Sequence, residues 1–158
     1  MTDYLLTLKL IHILGATVLF GTGLGIAFFM LMAHRTRNAA VVAHTAGIVV
    51  LADAVFTAGA VVVQPVSGAF LALAMGYSIW ESWIVVSLGL YVLVGLCWLP
   101  VVWIQIQLRN VARAAGQAGV GLPAQYDRLF RVWFLLGWPA FGGVIAIFAL
   151  MIWRPQLW

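Results

Sequence analysis

Lys9 and His12 stand three residues apart in an otherwise apolar run, and a single carboxylate, Asp53, stands inside a second such run. On a helix, residues three apart share a face. At ~100° per residue, Gly15, Ala16, Leu19 and Gly23 fall on that face too. An imidazole bordered by small residues suits a metal ligand or a proton shuttle, with a second helix or a flat ligand lying close to the backbone. The alternative is a packing seam of small residues, for which Gly21 and Gly25 are also available. In the second run Asp53, Thr57 and Gln64 fall within about 40° of one another on one helical face. Asp53 and His12 come at similar depth, so Asp53 is expected to pair with Lys9 or His12. Such a pair either fixes helix register or relays protons, with Thr57 as a further member. A third run carries Trp83, Ser87, Tyr91, Trp98 and Gln105 along one stripe, a pattern that suits a bundle core or a ligand pocket. His44 is expected to reach the interface, and His34, next to Arg35, to be a solvated loop residue.

The elements that position these groups follow from composition. Of 158 residues, 65% are apolar and 8% are charged, from 8 Lys+Arg and 4 Asp+Glu. A soluble domain is roughly 45–50% apolar and about 25% charged, so a soluble enzyme is excluded. Mean hydropathy is +1.11. A net charge of +4 would suggest nucleic acid in a soluble chain. Here it is explained by basic residues in membrane loops, and no nucleic-acid partner is expected. The one cysteine, Cys97, lies in an apolar run and supports neither a disulfide framework nor a Cys-based zinc site.

Four apolar stretches are long enough to cross the hydrocarbon, at about 4–33, 40–63, 83–108 and 129–153. The expected fold is all-α: one polytopic domain over 1–158, a four-transmembrane-helix bundle in contact with lipid on all sides. Gln64 to Gly68 reads as a break, and Ala69 to Trp80 as a short interfacial segment between the second and third spans. Arg35, Arg37, Arg109, Arg113, Arg128 and Arg131 fall on one side. The positive-inside rule makes that side cytoplasmic and both termini external, in a bacterial inner membrane. Trp80, Trp83, Trp153 and Trp158 would then form an outer aromatic belt.

Several segments carry a family resemblance. Leu8-Lys9-Leu10-Ile11-His12-Ile13, then Phe20-Gly21-Thr22-Gly23 and His34-Arg35, resemble the first helix of the membrane protoporphyrinogen oxidases (the HemJ group). Arg128-Leu129-Phe130-Arg131, Trp138-Pro139 and the closing Trp153-Arg154-Pro155 are similar to the end of that group. The first-helix histidine is also shared by copper-resistance membrane domains of the CopD type. With its Cys97 to Trp103 segment, the chain resembles most an uncharacterised family of four-helix bacterial integral membrane proteins. The resemblance implies haem b bound at the first-helix histidine, His12. Lys9, one turn toward the outside, is placed to meet a propionate, and Gly15 and Gly23 leave room for the ring. Tyr91 is a further expected contact. The oxidase group has Trp-x-His-x-Lys at the third helix, where this chain has Val85 and Ser87 after Trp83. The implied role is therefore haem b binding or porphyrin handling, with an oxidoreductase linked to quinone as its enzymatic form, rather than the oxidase reaction itself. The alternative is a non-redox transporter, copper-handling protein or accessory subunit built on a Lys9/His12/Asp53 relay. A homo-oligomer is compatible with either.

Overall fold

Four apolar stretches that cannot leave backbone N–H and C=O groups unpaired in lipid have one open-chain solution, the helix. In the computed structural model, which describes residues 2–158, they form rods longer than the sequence suggests. Helix α1 is Thr2–Arg35; α2 (Ala39–Ala52), a π turn (Asp53–Thr57) and α3 (Ala58–Ala74) form one continuous rod; α4 is Ser82–Gln117 and α5 is Ala124–Trp153. No strand occurs among the described residues. The rods of 30 to 36 residues exceed the ~20 needed to cross a bilayer, so their ends project into the headgroups or tilt.

The second rod corrects the expectation of a break and an interfacial segment. Gln64 to Gly68 is helical, and Pro65 lies inside α3. Proline removes one backbone donor, which leaves the carbonyl four residues earlier without its helical partner. That carbonyl is Val61 O, and the Tyr91 hydroxyl donates to it at 2.6 Å. The rod ends only at Met75–Gly76, where Gly76 takes φ +76° and Tyr77 N–H donates to Ala72 O at 3.0 Å, a Schellman stop. α4 ends in the same way, with Gly119 at φ +67° and Val120 N–H on Ala115 O.

The arginine-rich end is well packed. Met30, Val42, Ala46, Leu108, Ala112 and Tyr126 are fully buried there, with Val49, Phe130 and Trp133 around them. Asn38 caps α2 by accepting from Ala40 N and Val41 N. Beside it Arg37 takes a left-handed φ of 53° and grips Asp127 with two hydrogen bonds, at 2.5 and 3.1 Å. That carboxylate pushes the Arg37 guanidinium further above its usual value. His34 is not a solvated loop residue. Its ring stacks on Phe130 at 3.7 Å, and Nδ1 lies 3.2 Å from the Tyr126 hydroxyl.

At the opposite end Trp80, Trp153 and Trp158 are exposed, whereas Trp83 is only 8% exposed. Trp83 leaves the expected belt because Tyr77 and the Arg154 guanidinium cover it. Arg154 also donates to the Tyr77 hydroxyl at 2.6 Å, and Leu157 N–H donates to Ser82 Oγ at 2.9 Å, so the C-terminal segment is tied to the start of α4.

Candidate functional site

Small residues decide where the rods touch. α4 and α5 approach closely at Gly143, where a Cβ would stand 2.7 Å from Val94 Cγ2. α1 meets α3 at Gly15, where a Cβ would fall 2.5 Å from Gln64 Oε1. Gly21 and Gly25 belong to no such seam: a Cβ on Gly21 meets nothing within 4 Å, and one on Gly25 meets only Phe29 of the same helix.

The His12 side of α1 is therefore closed against α3. His12 Nδ1 lies 3.0 Å from Ser67 Oγ, and Nε2 lies 3.3 Å from Gln64 Nε2. Ser67 spends its own proton on Gln64 O at 3.1 Å. Its oxygen thus accepts from Nδ1–H, and Nε2 accepts from the Gln64 amide. The ring edge rests on Gly68, where a Cβ would come 3.0 Å from Cε1.

A step around α1, the face carrying Ala16, Leu19, Phe20 and Gly23 opens onto a central cavity of about 390 Å³. This volume is within the range of small-molecule sites. The walls are mostly apolar and aromatic, with Phe20 and Phe141 from α1 and α5 and Tyr91 and Trp98 from α4. Leu24 and Trp138 also line it, and they are 50% and 67% exposed, so they form a rim on the outer surface near the middle of their helices. Beside this rim α1 and α5 touch through Phe20, whose ring lies 5.0 Å from Phe141 and 5.5 Å from Phe148. The mouth thus faces the depth at which a bilayer is hydrocarbon.

The polar side chains of the cavity come mainly from the second rod and α4. The π turn, marked by Ala58 N–H reaching back to Asp53 O, buries both Asp53 and Thr57. π turns inserted in α-helices are frequent at functional sites. Asp53 is 4% exposed, and Trp98 Nε1 donates to its Oδ1 at 3.4 Å. Asp53 pairs with neither Lys9 nor His12; among the described residues the one ion pair is Arg37–Asp127. Among the described residues six buried side-chain atoms lack a hydrogen-bond partner: Asp53 Oδ2, Thr57 Oγ1, Gln64 Oε1, Gln105 Nε2 and Oε1, and Trp133 Nε1. All five residues that own them line the cavity. A buried polar group left unpaired is costly, so this concentration marks a place where a partner is wanted.

Of the residues singled out from sequence, the structure brings Gly23, Tyr91, Asp53 and Thr57 to the cavity wall. Lys9, His12 and Gly15 lie outside it, and no side-chain hydrogen bond joins Lys9 to His12 or Asp53, so the expected relay is not assembled. The arrangement does not fit a haem held by His12. Both ring nitrogens are engaged on α3, and the imidazole does not line the cavity. Gln105, Trp98 and Trp133 carry more of the site than their sequence context indicated. The stripe shared with Tyr91 and Trp98 was the available signal for Gln105, and Trp133 gave none.

Four membrane-length helices around a cavity open at mid-depth define a multi-pass integral membrane protein with an intramembrane pocket. The chain belongs to the family described as "Predicted integral membrane protein (DUF2269)", whose model matches residues 6–155. No curated protein and no solved structure matches it.

Proposed function

We propose that this protein binds a lipid-soluble small molecule with a polar head, which reaches the central cavity sideways from the bilayer. The observation that carries this reading is that the described residues with partnerless buried polar atoms, Asp53, Thr57, Gln64, Gln105 and Trp133, all line one apolar, aromatic-walled space. Apolar walls with a few convergent polar groups are what a small-ligand site requires. A mid-depth rim at Leu24 and Trp138 suits a ligand that partitions into lipid before it binds. By the positive-inside rule, the arginine-rich end faces the cytoplasm of a bacterial inner membrane.

A quinone is the neutral form of this reading, because Thr57 Oγ1, Gln105 Nε2 and Trp133 Nε1 are donors suited to ring carbonyls. The test is to purify the protein in lipid nanodiscs without detergent, extract it with organic solvent and identify the bound species by mass spectrometry. Gly95→Leu and Gly137→Leu add bulk at cavity-lining positions where a Cβ meets no atom within 4 Å. Both variants are expected to lose the enriched species while keeping wild-type thermal stability. An identical set of bound molecules in wild type and both variants would overturn the reading.

A further inference from the structure

The charge inside the cavity narrows the ligand. Asp53 is the one acidic residue in its lining, and Tyr91 is the only other titratable group there. No Lys, Arg or His reaches it. The nearest help is a single long hydrogen bond from Trp98 Nε1, and Oδ2 has none. An acidic group at this depth in a membrane is normally matched by a counter-charge or marks an ion or substrate path. The same cavity is lined by the aromatic residues Trp98, Tyr91, Phe20 and Phe141. Aromatic rings with a carboxylate and no base attract a desolvated organic cation and repel an anion.

We propose that the cavity selects lipophilic organic cations, amines or onium ions, with Asp53 as the counter-ion and the surrounding aromatic rings as its walls. This rests on the cavity being a ligand site and deepens that reading. No protein cation has to be displaced, because among the described residues Asp53 makes no ion pair and its Oδ2 has no hydrogen-bond partner. Trp98 holds the other carboxylate oxygen and fixes its orientation. The apolar remainder of the ligand occupies the space toward the rim at Leu24 and Trp138.

The experiment uses the full chain in detergent micelles and follows the quenching of tryptophan fluorescence, since Trp98 and Trp133 line the cavity. Methyltriphenylphosphonium is compared with triphenylphosphine oxide, which carries the same three phenyl rings without net charge. Wild type is expected to bind the phosphonium at least about tenfold more tightly than the oxide. Asp53→Asn should abolish the preference for the phosphonium over the oxide, whereas Asp53→Glu should retain it. Equal affinities in wild type, or a preference that survives in Asp53→Asn, would overturn the cation assignment and leave the pocket itself standing. Failure of both probes to bind wild type would overturn both.

Discussion

Tyr91→Phe removes one oxygen, and the structure says what that oxygen does. Val61 O has lost its helical donor because residue 65 is proline, and the Tyr91 hydroxyl replaces it at 2.6 Å. Leaving a buried carbonyl without a partner costs about 1–3 kcal/mol in soluble proteins. Hydrogen bonds inside membranes average about 0.6 and reach about 1.7 kcal/mol. The broken backbone ladder gives Val61 O no fallback, so the cost should lie near the upper end, about 1–1.7 kcal/mol. Pro65→Ala restores the missing N–H, and in that background the carbonyl has its own partner. Tyr91→Phe should then cost only a few tenths of a kcal/mol, for a coupling of about 1 kcal/mol. Reversible unfolding in mixed micelles at rising SDS fraction, followed by tryptophan fluorescence, measures all four corners of this cycle. Equal costs of Tyr91→Phe in the two backgrounds would refute the proline-repair argument.

Gly143→Ala sets a Cβ 2.7 Å from Val94 Cγ2, and because valine has little freedom to yield, the variant should lose about 1–3 kcal/mol in the same assay. Val94→Ala should recover much of that loss. His12→Ala removes the bonds to Ser67 and Gln64 but no part of the cavity wall, so phosphonium affinity should change less than twofold. A haem absorption spectrum in wild type that vanishes in His12→Ala would contradict this placement of the histidine. A reporter fused after Trp158 is expected to read as periplasmic, and a cytoplasmic signal would reverse the orientation drawn from the arginines.

The number and order of membrane helices were legible because hydropathy over ~20 residues is a strong signal. Their ends were not. Residues 109–117 are polar enough to resemble a loop, yet they extend α4 beyond the expected span. Pro65 and Gly68 resembled a break because the donor that rescues Val61 O comes from a residue 30 positions away. The shared face of Asp53, Thr57 and Gln64 was readable from helical spacing, and the cavity now collects all three. Their partners were not readable. Depth counted from a span end near residue 63 put Asp53 level with His12, but the rod continues to Ala74, so His12 meets Gln64 and Ser67 while Asp53 lies about 16–21 Å farther along it. His34 stands beside an arginine in sequence, whereas its stacking partner, Phe130, lies on another helix and leaves no local signal.

The π turn has a consequence for chain length. Such a turn is an α-helix carrying one surplus residue, absorbed without changing the direction in which the flanking segments face. Removing Val55, which is 58% exposed and lies within the turn, should let the rod close into regular helix. Ser67 and Gln64 would still meet His12, and Val61 would still meet Tyr91. The same deletion at Ile48, inside α2, has no surplus to absorb it and would swing everything beyond by about 100°. The polypeptide therefore tolerates a change of one residue at one place along this rod, and the loss there would fall on the widened loop of backbone that aims Asp53 and Thr57 together.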